Sequence, residues 1–124
     1  MNAQNMARMA YAQATAPTRT DRGTEFEVFA RVTRAMKAAE DKGKAGFKDL
    51  AQAMLENRRL WTILAADVAN EGNDLPDELR GRIFYLAEFT DQHSSKVLAG
   101  KARAEVLVEI NAAIMRGLRQ GAAR

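Results

Sequence analysis

Cysteine is absent from this chain of 124 residues, and histidine occurs once, as His93. Without cysteine there is no disulfide, no thiolate metal site and no thiol nucleophile. A single histidine leaves no multi-histidine metal site. A chain free of cysteine also fits a reducing compartment. Proline occurs twice and tryptophan once. No apolar run approaches the roughly 18–20 residues of a membrane span. The start of the chain, MNAQNMARMAYAQATA, has no continuous hydrophobic stretch of the kind that marks a secretory signal. These sparse, interrupted apolar positions point to a protein that stays in the cytoplasm. There is no strand-like alternation of useful length, no low-complexity tract and no Asp-rich calcium loop. Gly43-Lys44-Ala45-Gly46 follows no strand and reads as a turn, not a phosphate loop.

What the sequence does have is helix-forming composition, rich in Ala, Arg, Leu and Glu. The organising stretch is Phe47 to Val68. Its residues Leu50, Met54, Asn57, Trp61, Leu64 and Val68 recur at alternating intervals of four and three, one stripe of a helix about 33 Å long. Asn57 is the one polar residue in that seam. Leu55, Ile63 and Ala66 fall on the opposite side, and a helix apolar on two sides wants neighbours on two sides.

Around it the chain divides into an N-terminal arm and a bundle. Residues 1–16 form a flexible or weakly helical arm in which Met6, Met9 and Ala10 share a side; a helix this short is marginal alone. Residues 17–120 form the bundle. Its first helix starts near Pro17, or at Thr24 if the Thr24–Glu27 capping box is used, and ends near Lys42. Phe26, Phe29, Thr33 and Met36 make its apolar stripe. The central helix stops at Asn70-Glu71-Gly72, where Gly72 is expected to take a left-handed cap. Pro76 opens the next helix, with Asp77 and Glu78 in its first turn and a stripe of Leu79, Ile83, Leu86, Thr90, His93 and Val97. Phe84 points nearly the other way. Gly100 breaks that helix, and Arg103 to Arg119 forms the last one on Leu107, Ile110, Ile114 and Leu118, with fraying from Gln120. The expected fold is therefore all-α, a small antiparallel bundle of four to five helices with short connections.

Catalysis has little to work with. His93 is the only plausible neutral base, and it lies on an apolar stripe as a core or boundary residue would. Asp77 and Glu78 read as helix-start acids. No cofactor or metal is implied, and the chain is not expected to be an enzyme. The charge is +3 overall but uneven: residues 1–60 hold 11 Lys/Arg and 7 Asp/Glu (+4), residues 61–124 hold 8 and 9 (−1). Arg31, Arg34, Lys37, Lys42, Lys44 and Lys48 form a modest basic group without interleaved aromatics, a poor nucleic-acid surface. Interaction surfaces remain. Phe26, Phe29, Asn57, Trp61 and Phe84 are the candidate partner-binding residues. Trp61 also reads as core, and Asn57 either as a buried polar residue that fixes helix register through a specific partner or as a contact to the backbone of a neighbouring helix.

Ordered segments of the chain resemble the FlaF family, flagellar biosynthesis proteins of α-proteobacteria. They are Phe29-Ala30-Arg31-Val32-Thr33-Arg34, then Asn57-Arg58-Arg59-Leu60-Trp61 with Leu64-Ala65-Ala66-Asp67, then Asn73-Asp74-Leu75-Pro76 with Leu79-Arg80, then His93, and finally Glu109-Ile110-Asn111 with Ile114-Met115-Arg116-Gly117-Leu118. The resemblance covers roughly residues 11–118, and departs mainly in the Met-rich residues 1–10 and the Gly-rich linker 43–46. It implies a cytoplasmic, non-enzymatic protein that binds flagellin before export by the flagellar type III secretion apparatus and couples flagellin synthesis to assembly, opposite the regulator FlbT, a second candidate partner. Two other readings compete: an RNA-associated regulator of flagellin expression, and a self-assembling helical structural protein. Whether the chain is a monomer or an oligomer stays open.

Overall fold

In a computed structural model the described residues are 21–122, with side chains described for 26–117. The 1–16 arm and the helical start at Pro17 lie outside the described residues. Among those described there are four α-helices and no strand: α1 (Asp21–Asp41), α2 (Phe47–Ala69), α3 (Asp77–Leu98) and α4 (Glu105–Ala122), with a short 3-10 turn, Gly43–Gly46, between α1 and α2. The fold is a small all-α bundle.

Side-chain pairings fix the directions of the helices. Phe29 meets Trp61, Arg31 meets Glu56 and Lys42 meets Asp49, so α1 and α2 run antiparallel. Arg58 reaches Asp91 and Ser95 while Arg80 reaches Val68, so α2 and α3 do too. Thr33 meets Asn111 and Glu40 meets Ala104, which makes α1 and α4 antiparallel as well. Three of the four neighbouring seams are extensive: α1 with α2, α1 with α4, and α2 with α3. The fourth, α3 with α4, is slight.

The central stripe is buried as its spacing requires. Leu50, Met54, Asn57, Trp61, Leu64 and Val68 are all interior, joined by Ala53. They feed two clusters. One gathers Val32, Met36, Leu50, Met54, Val97 and Leu107 near the connector between α3 and α4. The other gathers Phe29, Trp61, Leu64, Val68 and Ile83 at the opposite end. Fully burying side chains of this size contributes about 1.5–3 kcal/mol each, which makes these clusters the main source of stability.

The third helix departs from its expected stripe. Ile83, Thr90, Ser94 and Val97 are buried, but Leu79 is exposed, and Leu86 and His93 are only half-buried. The buried face is turned toward α2, and the residues on the α4 side stay partly open. The reason is the seam geometry: α3 packs along α2 but barely touches α4. In α4, Leu107 is interior as expected, but Asn111 is also fully buried, while Ile110 and Ile114 are half-buried.

The helix ends follow local chemistry. The last turn of α3 closes with Gly100 at φ 75°, whose N–H donates to Val97 O while Lys101 N–H donates to Lys96 O, a Schellman cap. The end of α2 differs from expectation, because Gly72 does not adopt a left-handed conformation. Asn70 turns extended and its Oδ1 accepts the Gly72 N–H at 2.9 Å. That side-chain bond makes the turn and removes the need for a positive φ. Thr24 does not cap α1 either, since the helix already runs from Asp21. At the other end of the chain α4 continues to Ala122, beyond the fraying point expected at Gln120.

Candidate functional site

Polar groups from three helices converge in the bundle interior. The Trp61 Nε1–H donates to Asn111 Oδ1 at 2.9 Å. Asn111 Nδ2 donates to Asn57 Oδ1 at 2.8 Å and to Thr33 Oγ1 at 3.1 Å, and the Thr33 hydroxyl donates back to Phe29 O at 2.5 Å. The Phe29 and Trp61 rings meet edge to face, centroids 5.7 Å apart at 85°. Asn57, Asn111, Phe29 and Trp61 are at most 1% exposed. Asn57 Nδ2 is left without a partner, so the network is almost but not fully satisfied. A buried amide bonded across helices favours one register, because any slip would strand it.

Burial sorts the five candidate partner residues. Phe29, Asn57 and Trp61 belong to the interior and present no usable surface to a partner in this conformation. The apolar periodicity that singled them out marks core and contact alike, and here the neighbouring helices cover them. Phe26 is half-buried and makes interactions within the chain. Phe84 alone stands in solvent, 49% exposed. The structure thus joins Phe29, Asn57 and Trp61 in one network and leaves Phe84 half-exposed on α3, beside its seam with α2.

Further surface features were not singled out by the sequence. Tyr85 is 68% exposed and Leu79 39% exposed, at separate positions around α3. Between α2 and α3 runs a cleft of about 320 Å³. Ala65 and Ala87 line its apolar part, Phe84 and Glu88 stand on the α3 side, and Thr90 and the edge of Trp61 also contribute. Small residues let the cleft exist, since neither alanine fills the space between the helices. Arg58 crosses one end: it donates to Asp91 O at 2.7 Å and to Ser95 Oγ, and its Nε lies 3.3 Å from Asp91 Oδ1.

The remaining charged contacts hold the frame. Arg80 donates through Nε to Val68 O at 2.7 Å and through Nη2 to Asn70 O at 3.2 Å, covering carbonyls that α2 leaves open at its C-terminus. Glu40, at the end of α1, accepts the Ala104 N–H at the start of α4, where a carboxylate also complements the helix dipole. His93 stacks on Phe89, centroids 5.4 Å apart, and its Nε2 bonds Arg103 O at 2.9 Å, which makes it the boundary residue expected. In the basic group, Arg31 pairs with Glu56 and Lys42 with Asp49, so part of that charge is neutralised within the chain. Among the described residues no helix is long and apolar enough to cross a membrane.

The segments that carry the family resemblance thus supply scaffold. Asn57, Trp61 and Asn111 build the interior network, Arg58 clamps α3, and Arg80 caps α2. Asn73 Oδ1 accepts the Leu75 N–H at 3.0 Å and shapes the connector. Phe84 and Tyr85 lie between those segments. Among curated proteins and solved structures nothing matches the chain. A family model described as flagellar protein FlaF matches residues 7–118, nearly the whole length. The chain belongs to the FlaF family of flagellar proteins.

Proposed function

We propose that this protein acts by binding, not by catalysis: in the cytoplasm it holds flagellin and supports its passage to the flagellar type III secretion apparatus, and so couples flagellin synthesis to assembly. FlbT is a second candidate partner in that role. The observation that carries the reading is the pair of neighbouring aromatics on α3, Phe84 and Tyr85, which stand in solvent at 49% and 68% exposure. Exposed aromatics clustered on one element are costly for an isolated protein and are common in partner surfaces. Membership of a flagellar family supports the choice of a flagellar partner. A partner with amphipathic helices, as flagellin ends have, suits a surface of this kind, because such a helix lays its apolar side against exposed apolar side chains.

Titration calorimetry of purified flagellin into the folded protein tests the proposal. It should give a saturable complex of fixed stoichiometry. Absence of heat and of co-elution at tens of micromolar would remove flagellin as the partner.

A further inference from the structure

The α2–α3 cleft holds an unusual combination of groups. Thr90 is 1% exposed, and its Oγ1 has no hydrogen-bond partner. A buried hydroxyl without a partner is uncommon in native proteins and calls for an explanation. In the same cleft Ala65 and Ala87 form narrow apolar walls, and Phe84 presents a half-exposed ring. The charged groups facing it are Arg58, Glu88 and Asp91. Arg58 forms an ion pair with Asp91 and donates to Asp91 O and Ser95 Oγ, so these two charges largely offset each other, although its buried Nε makes no hydrogen bond. Glu88 remains as the uncompensated charge, one helical turn from Phe84.

We infer that this cleft is the seat for one cationic side chain, an arginine or lysine, presented by the partner. The inference rests on the binding role proposed above and assigns its charged anchor. Each part of such a side chain meets matching chemistry. The methylene stem lies between Ala65 and Ala87, as long cationic side chains commonly bury their stems. The charged head pairs with Glu88 and approaches the face of Phe84, an attraction of cation and ring quadrupole. Thr90 Oγ1 is closed to solvent in the unbound protein, so entry of the head must part the α2–α3 seam, and one N–H group then supplies the missing hydrogen bond. An anion would meet Glu88 and be repelled. A wholly apolar side chain would leave the hydroxyl unsatisfied.

The test uses the full-length protein, labelled with nitrogen-15, and three small probes: the N-acetyl methylamides of arginine, leucine and glutamate. The arginine probe should shift the amides of Ala65, Ala87, Glu88 and Thr90 in a saturable way, and the other two should not. Glu88→Gln should weaken the arginine response about three- to fivefold, as loss of one exposed ion pair does. Thr90→Val should also weaken it while leaving the unfolding midpoint unchanged or higher, which a purely structural threonine would not do. No shift with arginine, or a stronger one with leucine or glutamate, overturns the assignment. A parallel titration with flagellin separates the two levels. If flagellin binds wild type and Glu88→Lys equally, the cleft assignment is wrong and the binding role stands. If the arginine probe seats in the cleft but flagellin never binds, the assignment stands and flagellin is the wrong partner.

Discussion

Trp61 and Asn111 lie fifty positions apart in the chain, yet the indole N–H of one donates to the side-chain carbonyl of the other at 2.9 Å in the bundle interior. The amide of Asn111 then spends its N–H groups on Asn57 and Thr33. One residue of α4 therefore satisfies polar groups on both α1 and α2, and α2 and α4, whose backbones stay apart, are tied through side chains.

Asn111→Ala should destabilise the protein by roughly 3 kcal/mol, because it strands the Trp61 N–H and the Asn57 carbonyl in the interior at about 1–3 kcal/mol each. The double variant Asn57→Leu, Asn111→Leu should cost less than the sum of the two single changes, since each alone leaves the other amide without its partner. Urea titrations followed by Trp61 fluorescence give both numbers. Strict additivity would show that the two amides are energetically independent.

Trp61→Ala should cost about 3–5 kcal/mol, as removal of a buried indole does. The variant should therefore lose partner binding only through unfolding. Trp61→Phe keeps the edge-to-face contact with Phe29 but not the donor, and should cost less than Ala. Normal thermal stability in Trp61→Ala together with lost binding would instead place the residue on the contact surface.

Two glycines should respond in opposite directions to alanine. At Gly46 a Cβ would press into the Ala39 carbonyl and the Lys42 side chain, so Gly46→Ala should destabilise by more than about 1 kcal/mol. At Gly81, exposed inside α3 with open space around it, alanine should stabilise by roughly 0.5–1 kcal/mol through helix propensity alone. Thermal melts of the two variants check the pair.

Arg80→Ala uncovers carbonyls at the end of α2 and should cost roughly 1.5–3 kcal/mol, the range for hydrogen bonds to a charged donor. Arg80→Lys should recover only part, because an ammonium on a flexible stem does not reproduce the planar fork that reaches Val68 and Asn70 together. Full recovery by lysine would show that only charge matters there.

Much of this fold was legible in the sequence. The four-three spacing of α2 named its buried residues, and Gly100 and Pro76 marked ends that the structure keeps. Asn57 was legible as a buried polar residue awaiting a partner, but its partner was not. Asn111 is polar, and a search for apolar periodicity passes over it in favour of Ile110 and Ile114. The same search cannot see that α3 turns its buried side toward α2, because the looseness of the α3–α4 seam is a property of four helices together. That is why Ser94 was missed and Leu79 was placed inside. Of the candidate partner residues, Phe84 alone was legible as exposed, because it lies off the stripe. Phe29 and Trp61 look the same in a helical pattern whether a neighbouring helix of the chain or a partner covers them.

The binding role rests most directly on Phe84 and Tyr85 of α3. Flagellin should be titrated into wild type and into the double variant Phe84→Ala, Tyr85→Ala, with unfolding midpoints measured alongside. Phe84 is 49% and Tyr85 68% exposed, so stability should change by no more than about 0.5 kcal/mol. Binding should weaken at least about tenfold, as loss of an aromatic anchor typically produces. Equal affinity for the two proteins at equal stability would contradict the account.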